Sequence, residues 1–454
     1  LKRWLKNKKN RPTHDMKLLL LLSLICFTRG FAQPGFSVLS DRKTTIKFQF
    51  INNLILIPVS VNGTQLTFLL DSGVSETILF SLGDETLDLK EVEKIKFSGL
   101  GESRQLEGLR AVHNTLMIGK SLQDPDHTIY VIPDESINFS SHIGIPVHGI
   151  IGYHFFKNHP VQIDYGRRKI TVYKEPQHLP RNLARFKRFD LSIEGNKPYL
   201  QTQSAVRDDF YDTKMLLDLG NSDGVWLFPK YRALLPSAAV IFTDYLGRGF
   251  NGDIYGQRSR IKNVQIGDFH FNKPLAAFPD STSLEHLKMA AGRSGSIGNE
   301  ILRRFAIVFD YPDQHLYLKK NSHYRDPFRF NSSGMEVQHS GMEWQKDMVR
   351  IQVKPAGEQN PVYESQDVFR YNFVLKPVYS IAGCRKDSPC DIAGLRKNDK
   401  IESINRQKTA NMTLQKINDL LKGEDGTQLR FEVRRAGELL KSTVTLKDPL
   451  PYED

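Results

Sequence analysis

Two aspartates occupy matching places in two segments of this chain. Leu69-Leu70-Asp71-Ser72-Gly73-Val74-Ser75 recurs as Leu216-Leu217-Asp218-Leu219-Gly220-Asn221-Ser222. Each is an apolar run that ends in Asp-x-Gly-x-Ser. An Asp at the end of an apolar strand, followed by glycine, sits on a tight turn where backbone approaches closely or takes a positive φ. If two such turns meet, their carboxyls come within hydrogen-bond reach, and like charges that close cannot both ionise easily. The ionised partner can then take a proton from a shared water while the protonated one polarises a carbonyl. The titration of such a pair belongs to the pair, not to either residue.

One copy alone is weak evidence, since Asp-Ser-Gly is a common turn. The downstream landmarks repeat too. Gly119, ending Leu116-Met117-Ile118-Gly119, lies 48 residues after Asp71, and Gly267, ending Val264-Gln265-Ile266-Gly267, lies 49 after Asp218. Gly149-Ile150-Ile151-Gly152 begins 78 residues after the first aspartate, and Gly295-Ser296-Ile297-Gly298 begins 77 after the second. An apolar strand then closes each copy at Asp164-Tyr165 and Asp310-Tyr311. Landmarks in one order at one spacing describe a duplicated domain, which can bring its two aspartates together across a pseudo-twofold axis. Asp164 and Asp310 lack the following glycine and read as structural.

The elements that must position these residues are short strands. Thr45 to Phe50 alternates apolar with polar, as does Gln65 to Leu69 after the turn Asn62-Gly63. Lys94 to Gly101 reads as a strand entering a Gly-rich turn, and Tyr245 to Gly252 holds that place in the second copy. Lys174 to Arg188 is basic with two prolines and suits a linker. The first copy is assigned to residues 33–180 and the second to 181–330, with a connecting segment over 331–370. A module of different character follows over 371–454. There Phe373 to Ile381 is strand-like, and Thr413 caps a helix with Leu414, Ile417, Leu420 and Leu421 on one face.

The duplicated part resembles the pepsin and retropepsin-like aspartic peptidases. Asp71-Ser72-Gly73-Val74-Ser75 matches that family's Asp-Thr/Ser-Gly-x-Ser, and Ile150-Ile151-Gly152, repeated as Ser296-Ile297-Gly298, matches its apolar-apolar-Gly. The resemblance covers about residues 36–320. It implies a mainly β fold of two pseudo-twofold-related β-barrel lobes, with Asp71 and Asp218 catalytic. Ser72, Gly73, Ser75, Gly220 and Ser222 then support the active-site turns. Flaps fall at Gly99 and Gly101 in the first copy and at Tyr245 and Gly247 in the second, and the first carries no flap tyrosine. In enzymes of this kind the pair holds one proton between pH values of roughly 2 and 5. The second copy departs from the pattern at Leu219, where the family has a hydroxyl residue that bonds across the axis. The chemistry expected is hydrolysis of peptide or protein substrates without a cofactor. The competing reading is a pseudopeptidase whose paired lobes only bind peptide.

Ser388-Pro389-Cys390-Asp391-Ile392-Ala393-Gly394-Leu395-Arg396-Lys397-Asn398-Asp399-Lys400-Ile401 is similar to the signature of bacterial PDZ domains. This implies a small α+β PDZ-like domain that adds an extended peptide to a sheet edge. The edge expected is the strand of Phe373 and Leu375, with Ile417 and Leu421 on the groove wall; the plainer reading of those side chains is core packing. Asn398 stands where glycine is usual, and Asn tolerates positive φ.

Charge and cysteines bound the rest. The net charge is +12 over 454 residues, but residues 1–32 hold +7 of it. The remainder is an ordinary solvated surface, with no basic stripe for nucleic acid. Leu18 to Phe27 is too short for a membrane span and suits a signal-peptide core, with Gly30-Phe31-Ala32 offering cleavage before Gln33. Residues 1–32 therefore read as an N-terminal extension and signal peptide, with Met16 favoured as the start. Ser23-Leu24-Ile25 is a poor lipobox for Cys26, so no lipid anchor is expected. The expectation is export to a periplasm or the extracellular space, with no transmembrane span in the mature chain. There Cys384 and Cys390 can close a small loop, worth about 2 kcal/mol in the chain-entropy model; the alternative is two separate thiols. His154 and His159 lack a third partner, and no metal site is expected.

Overall fold

The computed structural model describes residues 35–80, 86–97, 106–132, 140–235, 240–249, 252–284, 289–351 and 368–452. Repetition in the sequence becomes repetition in strand pairing. In the first lobe β1 (Leu54–Val61) and β2 (Thr64–Leu70) form a hairpin over Asn62 and Gly63, both at positive φ, as a two-residue Asn-Gly turn requires. A short helix α1 (Ser140–Ile143) precedes β3 (Gly149–Ile151), which runs parallel to β2 with Ile151 opposite Leu70. β4 (Val161–Asp164) closes the lobe.

The second lobe repeats this order. β5 (Lys197–Ala205) pairs β6 (Phe210–Leu217), β7 (Phe242–Gly249) and β8 (Gly252–Arg260) form a hairpin, and β9 (Arg293–Ile297) runs parallel to β6 with Ile297 opposite Leu217. β10 (Phe305–Asp310) closes it. In the first lobe Leu106–Ile118 pairs Leu122–Val131 and completes a barrel. In the second lobe each of those strands is split in two, and Lys273-Pro274 makes the break between Phe269–Asn272 and Leu275–Pro279. Proline has no N–H to give to the ladder.

A six-stranded sheet joins the lobes, with β4 and β10 antiparallel at its centre. Gln162 lies opposite Val308. These two are repeat equivalents, each two residues before its closing Asp, so the pseudo-twofold axis passes between them. Ile163 opposite Ile307 and Val161 opposite Phe309 then exchange under the same rotation. One apolar core runs through both lobes, and Leu219 is part of it, fully buried.

The third unit begins earlier than residue 371. β11 (Met335–Ile351) pairs along its length with β12 (Val368–Cys384), so the segment read as a connection supplies the first strand of a new sheet. Its hydrophobic pattern is weak because the hairpin is exposed on both faces: Met342, Trp344 and Phe373 on one and Glu343 and Val374 on the other face solvent. β11 is the edge of this sheet and β12 lies inside it, paired to Lys400–Ile404 on its other side. Helix α2 (Leu414–Leu421) starts on Thr413, whose hydroxyl accepts from Lys416 N at 3.2 Å. Its apolar face enters a separate core with Ile381, Ile401 and Phe431. Asn398 takes φ +71°.

Candidate active site

Each aspartate turn is made the same way. β2 delivers Asp71, whose N–H donates to Ile151 O at 2.9 Å; β6 delivers Asp218, whose N–H donates to Ile297 O at 2.9 Å. Gly73 N donates to Asp71 Oδ1 (2.7 Å) and Gly220 N to Asp218 Oδ1 (3.1 Å). The glycines that end the two Gly-x-Ile-Gly motifs lie against these turns. A Cβ on Gly152 would stand 1.9 Å from Val74 O, and one on Gly298 would stand 2.4 Å from Asp223 O. The absence of a Cβ, not the backbone angle, is what these positions demand.

The two carboxyls face each other across the axis: a single Cβ built on Gly73 would stand 3.1 Å from Oδ1 of each. Asp71 is buried and Asp218 half-buried. Burial, then the charge of Asp218, pushes the Asp71 carboxyl up to about 7. Burial also raises Asp218, opposed chiefly by the Arg293 guanidinium. Lys197 pulls both carboxyls downward. A pair with one proton is therefore the form held in the lower and middle pH range.

Ser72 supports both turns: its Oγ donates to Leu217 O at 2.7 Å and accepts from Leu219 N at 3.0 Å. The reciprocal grip is missing, because Leu219 has no hydroxyl and packs into the core. Another tie holds its backbone. Asn299 Nδ2 donates to Leu219 O, and Tyr165 OH donates to Asn299 Oδ1 at 2.7 Å. Two hairpin turns also cross the axis: Asn53 Nδ2 donates to Ser222 O at 3.0 Å, and Ser75 Oγ donates to Gly195 O at 3.2 Å.

Asp71, Gly73, Asp218, Gly220 and Ser222 line one cavity of about 420 Å³, together with Tyr245, Leu246 and Gly247 of the β7–β8 hairpin. The second-lobe flap thus covers the pair. The first-lobe flap positions Gly99 and Gly101 lie outside the described residues, as does the N-terminal extension. Spacing did not reveal Lys197, Arg293 or the Asn52-Asn53 turn. Asn299 had a signal: it directly follows Gly298, at a motif already in view.

Of the residues expected at the PDZ peptide site, Phe373 and Leu375 are exposed on the stretch of β12 that pairs with β11 on one side, beyond the Tyr379–Ser380 pairing to the next strand. Ile417 and Leu421 are core residues and not groove wall. Periodicity placed the two α2 residues on one face, and that face turns to the sheet. β11 came from the segment read as a connection. Cys384 and Cys390 form a disulfide with their Cα atoms 5.7 Å apart. Among the described residues, Asp310, Asp313 and His315 bring possible metal-ligand atoms within 4.8 Å of one another. They lie on the hairpin turn after β10, where Asp310 Oδ1 accepts from Asp313 N. They are not among the residues that line the catalytic cavity. No helix among the described residues is long and apolar enough to cross a membrane.

Comparison with known proteins adds two family matches. Residues 57–155 match the aspartyl protease family, and residues 381–435 match the PDZ domain family. A retrovirus-related Pol polyprotein from transposon 412 of Drosophila melanogaster is 29% identical over 146 residues. That match takes in 32% of this chain and 11% of the relative, so the chain spans about a tenth of that curated relative's length. The crystal structure of the aspartic proteinase from Irpex lacteus matches with a TM-score of 0.42 at 12% identity, over 63% of this chain and 99% of that one.

Proposed function

Because this chain carries an aspartyl protease domain followed by a PDZ domain, we propose that it is an exported aspartic endopeptidase. The observation that carries this reading is the meeting of Asp71 and Asp218, at mirrored strand-end turns, within one cavity. The protonated member of the pair donates toward the peptide carbonyl, and the ionised one accepts a proton from the attacking water. The roles exchange when the tetrahedral intermediate collapses and the amine leaves. No metal or cofactor enters these steps. Export is proposed from the apolar run Leu18 to Phe27, and a mature N-terminus near Gln33 is its signature in a secreted sample.

A second reading rests on Leu219. Without the hydroxyl on that side the turns are held less symmetrically, and the protein would bind peptides without cutting them. Cleavage of peptide libraries from acid to neutral pH decides between the two. Asp71→Asn and Asp218→Asn should each lower kcat/KM by about a thousandfold or more, the loss of general acid–base catalysis. Cleavage that survives both substitutions overturns the paired-aspartate mechanism. Binding without cleavage by the unaltered protein selects the second reading.

A further inference from the structure

The catalytic cavity borders a second one. The two share Asn52, His142, Ser222, Tyr245, Leu246 and Gly247 as lining residues. The second cavity has a volume of about 310 Å³, and part of its wall is not protease at all. Met335, Glu336 and Val337 of β11 and Asn418 and Lys422 at the end of α2 contribute it. The space next to the catalytic cavity is therefore walled in part by the edge strand and helix of the PDZ domain.

The PDZ domain is fastened in that position from two sides. Asn52 N donates to Gln415 Oε1, and Asn418 Nδ2 donates to Asn52 Oδ1 at 2.9 Å. The adjoining Asn53 Nδ2 reaches Ser222 O and, at 2.8 Å, Glu300 Oε2. One turn thus ties helix α2 to the catalytic turn of the second lobe. On the other side the Arg385 guanidinium lies 4.6 Å from the Phe242 ring, at the foot of the β7–β8 flap.

Most charges around the second cavity are neutralised within the protein. Asp223 pairs with Arg258 (3.0 Å), Glu300 with Arg303 (2.7 Å) and Arg304 (2.8 Å), and Arg329 with Glu424 (3.1 Å). Lys422, half-buried in the wall, has no acidic partner among the described residues. An extended polypeptide advances about 3.3 Å per residue, so a substrate that continues by a few residues from the catalytic cavity into its neighbour comes against the wall that carries this lysine.

We propose that the second cavity is a distal substrate subsite, built jointly by both lobes and the PDZ domain, that takes the acidic flank of an extended polypeptide. It rests on the endopeptidase reading for the position of the scissile bond. The PDZ domain on this view is a wall of the substrate channel and a determinant of specificity.

The test compares a short peptide that fills the catalytic cavity with the same peptide extended by about six residues, roughly 20 Å of extended chain, bearing Glu on that extension or Lys instead. Lys422→Glu should lower kcat/KM for the Glu-bearing peptide about three- to fivefold, the size of a partly exposed ion pair. It should restore the Lys-bearing one and leave the short peptide unchanged. Equal effects on short and extended peptides, or none on any, overturn the proposal. Fluorescence anisotropy with the full-length Asp218→Asn protein repeats the comparison without cleavage. If the extended peptide binds with the same charge dependence while the unaltered protein cuts nothing, the endopeptidase reading fails and the subsite stands. If extension and charge change neither binding nor cleavage, the subsite fails and the endopeptidase reading stands.

Discussion

Gly220 shows how little room the catalytic turn leaves. A Cβ there would stand 2.2 Å from Asp71 Oδ2, against 3.1 Å from Asp218 Oδ1 for a Cβ on Gly73. Neither glycine takes a positive φ, so of the two reasons the sequence offered for them, close approach is the one that applies. Gly220→Ala should abolish cleavage while the protein still folds, read by activity beside an unchanged far-ultraviolet circular dichroism spectrum. Wild-type turnover would remove the close approach as the reason for the residue. The aspartates themselves are held at a cost to stability. Burial raises Asp71 from 3.8 to about 7. Between those values the folded protein keeps a proton that the unfolded chain has released, so this group's contribution to stability falls as pH rises through that window. Asp71→Asn should therefore be inactive yet melt higher than wild type above about pH 7 and converge with it near pH 4. A parallel pair of melting curves across pH would mean that the carboxyl is not buried in the charged form's disfavour.

At the scale of elements, one serine holds two strand ends. Ser72 satisfies the buried carbonyl of Leu217 and the buried N–H of Leu219, one on each side of Asp218. Ser72→Ala leaves both unpaired and should cost about 1–3 kcal/mol in denaturant unfolding. A loss well below that range would show that Asn299 and Tyr165 carry the turn instead. Strands and caps with strong local signals were legible in advance. Asn62-Gly63 turns β1 into β2, Thr413 caps α2, and each repeated aspartate ends the strand expected of it. β11 was not legible, because a hairpin that leaves both faces to solvent has little reason to alternate apolar with polar. Without that strand the partner of Phe373 and Leu375 was also out of sight, since β11 pairs with that stretch of β12.

For the whole molecule, the two lobes are related through the β4–β10 pair, and the PDZ domain is joined to both of them. Its tail is anchored by Arg260 of β8, whose guanidinium donates to Leu450 O (2.6 Å) and Phe328 O (3.0 Å) and lies 3.8 Å from the Tyr452 ring. Arg260→Ala strips partners from these carbonyls and should cost about 2–3 kcal/mol. Hydrogen exchange should quicken at residues 448–452 and leave the strands β2 and β6 protected. Protection lost evenly over the chain would instead mean that Arg260 belongs to the common core.

By itself the sequence determined the duplication, the two aspartates, the strand-rich lobes and the PDZ-like motif, because each of these is written in local residue types at fixed spacing. Only the tertiary structure decided which long-range partners meet. It put Leu219 in the core with Asn299 on its carbonyl, set Arg293 and Lys197 to act on the carboxyls, and placed β11 and Lys422 in the wall of the space next to the catalytic cavity. Contacts between residues tens or hundreds of positions apart leave no period in a single chain. They follow from how the surfaces pack once the strands have formed.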